Sequence, residues 1–343
     1  MKILLLAGGD SSEREVSLSS GAAIYNSLKK LGHDVFAIDP STGKSLLSSE
    51  GKFLAKGISS TAVAGSVPQV GAMALAKSIV SPEFSNFEVV FLALHGGRGE
   101  NGSIQNLLEL ARVPFTGSDM KASAIAMDKA TSKRLFEAAQ IRTPHWKVYN
   151  INSQGIDEKI FKEIKKKFKF PVIVKPNDGG STIGLTKVTK SQELRAAFEL
   201  ALKESNVILV EDYIQGRELT VPVLDGQALP VIEIIPKSGL YDYEAKYTKG
   251  KSEYIVPARI PAKIAKALQK TSVSVYELIC AAGLARIDFM MTKNGKFYCL
   301  EINTLPGMTE LSLSPMAAQA VGINFDQLIE KMVQSAVEHF KSK

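Results

Sequence analysis

Arg286-Ile287-Asp288-Phe289-Met290-Met291-Thr292-Lys293-Asn294-Gly295-Lys296-Phe297-Tyr298-Cys299-Leu300-Glu301-Ile302-Asn303 is the stretch on which the fold of this chain turns. Two apolar runs, 285–291 and 296–302, read as strands, and Lys293-Asn294-Gly295-Lys296 between them reads as a hairpin turn. Residues i and i+2 share a face of a strand, so Arg286 and Asp288 point one way, as do Glu301 and Asn303. Folding the hairpin lets the two faces meet. Asp288, Glu301 and Asn303 then offer three oxygen donors to a hard Mg²⁺ ion carrying phosphates. A plain arginine–carboxylate pair at a sheet edge is the simpler alternative. It leaves unexplained the rigid turn that follows, Thr304-Leu305-Pro306-Gly307-Met308-Thr309, with its backbone donors. Buried charges on adjacent strands are also costly unless paired or metal-bound. Metal and phosphate chemistry is the better reading.

Upstream, Lys175 ends the apolar strand 171–175 and is soon followed by Gly179-Gly180-Ser181-Thr182-Ile183-Gly184. A Gly/Ser loop of this kind presents backbone N–H groups to a polyphosphate while a lysine adds a point charge. Lys129, near a helix start, and Glu211, at the end of the next apolar strand, shift the balance from a surface hairpin towards a nucleotide pocket. His95 ends the buried strand 87–94 and begins a glycine-rich loop, at the strand C-terminus where open α/β sheets bind ligands. Gly8-Gly9-Asp10-Ser11-Ser12-Glu13-Arg14-Glu15-Val16-Ser17 joins a first strand to a helix over 16–30. That is either an anion site at a helix start or a plain capped helix, with Ser12 as cap and Glu15 in the capping-box position. The dinucleotide glycine spacing is missing, and Gly43-Lys44-Ser45 lacks the earlier glycine of a phosphate loop.

The opening β-loop-α-β pattern, with a strand at 34–38, starts a parallel, helix-flanked sheet, so the fold class is α/β. Further helices are expected over 102–112, 122–139, 191–203 (with Ser191 as N-cap) and 263–282. Strands are expected at 207–210 and 219–224, and Asp225-Gly226 as a tight hairpin turn. The segment 41–81 gives no clear pattern. At 343 residues the chain needs two or three domains. No stretch is long and apolar enough for a membrane span or a signal segment. Cys280 and Cys299 read as buried core thiols in a reducing compartment, hence the cytoplasm. The net charge of +7 comes from lysines spread along the chain, and the run 162–169 reads as a solvated helix face. No nucleic-acid-binding motif accompanies it, so no nucleic-acid partner is expected.

Assembled in order, these motifs resemble the D-alanine–D-alanine ligases of the ATP-grasp superfamily from end to end. The resemblance rests on 8–17, His95-Gly96 with Gly99-Glu100, Met127-Asp128-Lys129, Val174-Lys175-Pro176 with Gly180-Ser181, and Tyr241-Asp242-Tyr243-Glu244-Ala245-Lys246-Tyr247. It closes with Gly283-Leu284-Ala285-Arg286-Ile287-Asp288 and the 301–309 stretch. Asn101, Asn106 and Thr182 depart from the common pattern without removing a group given a role. The resemblance implies an ATP-grasp fold with an N-terminal Rossmann-like parallel-sheet domain over 1–118. A central subdomain with the phosphate loop over 119–206 and a C-terminal catalytic subdomain over 207–343 would follow. A lid would cover 237–253.

It implies ligation of two D-alanine molecules through an acyl phosphate, for peptidoglycan precursors. Lys129, Lys175, Gly180, Ser181 and Glu211 would hold ATP, with Glu218 on the ribose. Asp288, Glu301 and Asn303 would bind two Mg²⁺, with Mn²⁺ as a substitute. Arg286 and the Gly307 N–H would face the oxyanion, and Glu13 with His95 the first ammonium. Lys246, Ser312 and Leu313 would hold the second substrate, and Glu13, Ser181 and Tyr247 would form a linked set. Tyr247 favours an amine over a hydroxyl as second nucleophile, hence dipeptide rather than ester. A homodimer through the N-terminal domain is also implied. The alternatives are an ATP-grasp carboxylate–amine ligase for another amino acid pair, or a catalytically silent nucleotide-binding module. The silent module predicts erosion among Arg286, Asp288, Glu301 and Asn303, and all four are present.

Overall fold

The computed structural model describes residues 1–54, 86–152, 155–237, 246, 248, 250–309 and 312–342. They form three sheets. The first begins with β1 (Lys2–Leu6), followed by helix α1 (Arg14–Lys30), β2 (Asp34–Asp39), the two-residue β3 (Lys44–Ser45) and β4 (Val89–Leu92). Its order is β3-β2-β1-β4, with β1 parallel to both β2 and β4. Four successive β1 residues, Ile3 to Leu6, are fully buried, as a central parallel strand covered on both faces requires. The short helices α2 (Gly97–Glu100) and α3 (Ser103–Leu110) follow β4.

Helices α4 (Met120–Met127) and α5 (Lys129–Ala138) lead to the second sheet. The pattern over 122–139 predicts one helix; the structure breaks it at Asp128. The Asp128 carboxylate accepts a hydrogen bond from the Thr131 N–H (2.8 Å) and so starts a new helix at Lys129. The second sheet contains β5 (Trp146–Asn150), β6 (Val172–Pro176), β7 (Thr186–Val188) and β8 (Val207–Asp212) in the order β5-β8-β6-β7, all antiparallel. Helices α6 (Glu158–Lys167) and α7 (Leu194–Ala201) cover it, burying Phe161, Ile164, Leu194 and Phe198 against Val172, Val174 and Val210. The lysines of 165–167 are exposed, as a solvated face predicts. Ser191 is not an N-cap: 191–193 is a single 3-10 turn, and the Glu193 carboxylate accepts hydrogen bonds from the Thr189 and Lys190 N–H groups.

The third sheet runs β12-β11-β9-β13-β14, formed by β9 (Arg217–Leu224), β11 (Ile232–Pro236), β12 (Ser252–Ile255), β13 (Leu284–Met291) and β14 (Phe297–Asn303), with the short β10 (Gln227–Ala228) on β9. Asp225 and Gly226 both have positive φ, and Leu224 pairs with Gln227, giving the tight hairpin expected. Helices α4, α5 and α8 (Ala262–Leu278) pack on this sheet around Phe136, Leu219, Leu268, Val275, Ile287 and Phe289. The C-terminal helices α9 (Leu313–Gln319) and α10 (Phe325–Lys341) return to the first sheet. Leu328, Ile329, Met332 and Val333 share one core with Ile3, Leu5, Val89 and Phe91. A salt bridge from Lys30 to Asp326 (2.5 Å) and a hydrogen bond between His33 Nε2 and Glu330 (2.8 Å) border that contact. The chain thus closes on the first sheet, which brings Leu305 against His95 and Glu100, and Met308 against Ser20.

Helix α8 stops at Leu278, so Cys280 lies beyond it with positive φ and is exposed rather than a core thiol; Cys299 is buried as expected. No described helix is long and apolar enough to cross a membrane. Most of segment 41–81, from residue 55 on, lies outside the described residues, as do Tyr247 and most of the expected lid.

Candidate active site

The hairpin pairs as its sequence requires. Arg286 lies opposite Asn303 and Asp288 opposite Glu301 on adjacent antiparallel strands, so all four side chains rise from one face. A bulge after Asp288 shifts the register so that Phe289 pairs with Cys299, and Leu300 is left without a partner in the ladder. Both Leu300 and Glu301 thereby line one cavity wall, an apolar and a charged residue side by side. The Arg286 guanidinium donates to both Asp288 carboxylate oxygens (2.9 Å each), and Thr220 on the next strand donates to Oδ1 (2.5 Å). Glu301 sits 3.3 Å from the Lys129 ammonium. Burial alone would push the Glu301 carboxyl up, but Lys129, then Lys175, Lys246 and Arg286, hold it down at about 2. Glu218 has too little compensation: burial, against the pull of Lys246, pushes it up to about 8.

Two adjoining cavities open around this face. The first, of about 450 Å³, is lined by Lys129, Lys175, Gly180, Ser181, Glu211, Glu218, Lys246, Arg286, Asp288, Glu301 and Leu313, with Ile173, Tyr213, Met290 and Leu300 as apolar walls. The second, of about 710 Å³, is lined by Glu13, His95, Lys129, Gly180, Ser181, Lys246, Arg286, Glu301, Asn303, Gly307, Ser312 and Leu313. Every sequence-predicted site residue among those described lines one or both. Tyr247 lies outside the described residues.

Loop 177–184 is anchored to the start of α5. Asn177 accepts from the Ala130 N–H through its side chain (2.8 Å), and Lys129 donates to the Gly179 carbonyl (2.6 Å). Ser181 and Thr182 both have positive φ, unusual for residues with a Cβ and especially for a β-branched one. From this loop the Ser181 hydroxyl donates to Glu13, reaching from the second sheet to the segment between β1 and α1 of the first. Glu13 is the N-cap residue of α1, but its side chain leaves the helix for Ser181; the expected Ser12 cap with Glu15 is not formed. The Glu13 carboxylate lies between Gly96 and Gly180. A Cβ at Gly96 would come within 2.5 Å of Glu13 Oε2, and one at Gly180 would collide with the same oxygen.

Both ring nitrogens of His95 are engaged within the protein. Nδ1 pairs with the Leu305 carbonyl (2.8 Å), so it carries the proton, and Nε2 accepts from the Ser20 hydroxyl (3.0 Å). Ser20 in turn accepts from the Met308 N–H (3.3 Å). The turn carrying Gly307 is therefore held at Leu305 by His95 and at Met308 by Ser20, which His95 in turn engages. Burial lowers the His95 pKa against the opposing pull of Glu13, so the ring stays neutral. Glu100, which sequence reasoning passed over except as part of a motif, is buried here too. It accepts from the Gly96 N–H (3.0 Å) and the Leu305 N–H (3.3 Å). Burial, reinforced by Glu13, raises its pKa to about 7. Lys133 was missed as well: it is fully buried and binds Glu211 (2.8 Å), which also holds Lys175 (2.5 Å). Its signal in the sequence was the four-residue step from Lys129 along one helix face.

Two carboxylates and an amide oxygen on one sheet face are a hard-donor set suited to Mg²⁺, and Glu301 is ionised. Among the described residues there is no cluster of three or more His, Cys, Asp or Glu, and the set here is two carboxylates and an amide. An ion at Asp288 has to share it with Arg286.

The "D-ala D-ala ligase N-terminus" family matches residues 2–118, and the "D-ala D-ala ligase C-terminus" family matches residues 135–334. A curated D-alanine--D-alanine ligase of Syntrophotalea carbinolica is 44% identical over 335 residues, covering 98% of this chain and 96% of that protein. One of Aquifex aeolicus is 39% identical, covering 97% of this chain and all of that protein. Among solved structures, D-alanine--D-alanine ligase from Bacillus anthracis complexed with ATP is similar with a TM-score of 0.76 and 28% identity, covering all of this chain and 98% of that one. These matches show that the chain belongs to the D-ala D-ala ligase family.

Proposed function

We propose that this chain joins two molecules of D-alanine using ATP, forming D-alanyl-D-alanine for peptidoglycan precursors. The observation that carries this is the common wall of the two cavities. Gly180, Ser181, Lys246, Arg286 and Glu301 line both, so a phosphate from one side and a carboxylate from the other meet over them. The likeness to a Bacillus anthracis structure complexed with ATP supports placing the nucleotide on the Lys129, Lys175, Gly180, Ser181 and Glu211 side, with Glu218 on the ribose.

The first D-alanine sits with its ammonium on Glu13 and its carboxylate towards the glycine loop. A carboxylate oxygen attacks the γ-phosphorus, the bond to ADP breaks, and an acyl phosphate forms. Lys129 and Lys175 spread their charge over the transferring phosphoryl group, which has a loose, charge-rich transition state. Asp288, Glu301 and Asn303 would hold two Mg²⁺, or Mn²⁺, whose charge neutralises the phosphates. The second D-alanine, its carboxylate on Lys246 and Ser312 beside Leu313, attacks the acyl carbon through its amine. The amine sheds a proton, phosphate leaves, and a peptide bond remains. Arg286 and the Gly307 N–H face the oxyanion of the tetrahedral intermediate. His95 acts through the 304–308 turn, because its ring nitrogens already bind Leu305 and Ser20. Tyr247 completes the set with Glu13 and Ser181. The lid over 237–253 keeps water from the acyl phosphate. Divisions at 118 and 206, a homodimer through the first domain and a cytoplasmic location complete the reading.

Oxygen tracing tests it. D-Alanine labelled with ¹⁸O in its carboxylate should transfer one label into the released phosphate, and unlabelled phosphate would contradict the acyl phosphate. A panel of D- and L-amino acids should give ADP release with D-alanine above all others. A stronger response to another pair would replace the substrate and leave the mechanism standing.

A further inference from the structure

Glu211 is an acid placed in a pocket that should attract phosphates. It is almost fully buried, and its carboxylate is gripped from two sides: Lys175 at 2.5 Å on Oε1 and Lys133 at 2.8 Å on Oε2. Lys175 lines the nucleotide cavity; Lys133 does not, having no exposed surface at all. Lys133 is fixed from the other side by the Thr143 hydroxyl (2.7 Å). It belongs to the same helix as Lys129, one turn on, so α5 delivers one lysine to Glu301 and the next to Glu211.

Charge counting gives the group its meaning. Lys175 and Glu211 alone are a neutral pair, and a lysine already neutralised at 2.5 Å has little field left for a phosphate. Adding Lys133 behind the carboxylate makes the trio two cations and one anion, a net charge of one. The buried side cannot be reached by solvent ions, so screening does not erase that charge. The Lys133 pKa is lowered on balance, by burial first, against the opposing pull of Glu211; the 2.8 Å contact with the Glu211 carboxylate is what favours its charged form. Glu211 is itself held below the usual range despite its burial, chiefly by Lys133 and then by Lys175.

We propose that Lys133 is a positioning residue for nucleotide phosphates: it neutralises Glu211 from behind and so leaves Lys175 a cation towards the cavity. The inference rests on the reading of that cavity as the ATP site. If so, Lys133 sets the preference for a charged nucleotide over an uncharged nucleoside without touching either.

The test measures dissociation constants for ATP and for adenosine by calorimetry on the full chain. Lys133→Met should weaken ATP by about tenfold, the scale of coupling within one charged network, and leave adenosine within about twofold. Lys133→Arg should retain the wild-type ratio. Glu211→Gln added to Lys133→Met should restore the ratio of ATP to adenosine affinity, since the anion to be neutralised is gone. Equal weakening of both ligands, or no change in either, would overturn the proposal. If Lys133→Met fails to fold, the double variant decides: a ratio still about tenfold below wild type overturns the proposal, and a wild-type ratio supports it. Wild-type protein that binds no ATP would sink the nucleotide reading instead, a separate outcome.

Discussion

Ser181 donates its hydroxyl hydrogen to Glu13 across 168 positions of sequence, tying the 177–184 loop of the second sheet to the segment between β1 and α1. The contact joins the group proposed to hold the first substrate to the loop proposed to hold ATP. Binding of either ligand therefore acts on a linkage the other shares. Ser181→Ala should lower kcat/KM for D-alanine by about 10²-fold, a loss of ~2.7 kcal/mol in transition-state stabilisation. Steady-state ADP release gives the value, and an unchanged kcat/KM would remove the linkage from the mechanism.

Gly180 makes that contact possible by leaving room for the carboxylate. Gly180→Ala should therefore cost more activity than Ser181→Ala, because it displaces Glu13 as well as the loop. Overpacking of this kind costs roughly 1–3 kcal/mol where neighbours cannot move. Activity below that of Ser181→Ala, with a folded circular dichroism spectrum, is the expected pair of results.

Glu100 makes stability depend on pH with a defined sign. Its pKa is raised from 4.5 to about 7 in the folded protein. A raised carboxyl pKa means the folded state binds the proton more tightly. Its contribution is fully present below pH 4.5 and is lost as pH rises through about 7. The loss is on the order of 3 kcal/mol. Glu218, raised to about 8, acts in the same direction, so the variant comparison is needed to isolate Glu100. Denaturant unfolding at pH 5 and pH 8.5 should show a smaller difference for Glu100→Gln than for the wild type.

Chelation should silence the enzyme without unfolding it. The proposed metal ligands lie on a hydrogen-bonded sheet whose ladder does not depend on an ion. Treatment with EDTA should abolish ADP release and leave the circular dichroism spectrum unchanged. Added Mg²⁺ or Mn²⁺ should restore turnover; Glu301→Gln should resist that rescue.

The hairpin from Arg286 to Asn303 was legible because the two-residue period of strands and the Asn294-Gly295 turn leave one way for the faces to meet. The bulge at Asp288, which puts both Leu300 and Glu301 on the cavity wall, has no such signal, since the alternation reads through it. The break at Asp128 was hidden because an aspartate inside a helical pattern looks like a surface residue until its carboxylate is seen to cap. Ser12 and Ser191 fit the cap pattern, yet Glu13 is the N-cap residue of α1 and turns its side chain to the distant Ser181, while Glu193 precedes α7 and its carboxylate takes the nearby Thr189 and Lys190 N–H groups instead. Lys133 and Glu100 escaped for a related reason. A buried charge becomes recognisable only when its partners, here Glu211 and the Gly96 and Leu305 amides, are brought in from distant elements.

The cradle of Arg286, Asp288, Glu301 and Asn303 is proposed to drive ligation of D-alanine, and the decisive measurement is ADP release with D-alanine as the sole amino acid. The wild type should release ADP with equimolar D-alanyl-D-alanine. Arg286→Ala should be slower by about 10²–10³-fold, the loss that follows removal of one oxyanion donor. Wild-type silence with D-alanine, or an undiminished Arg286→Ala, would contradict the account.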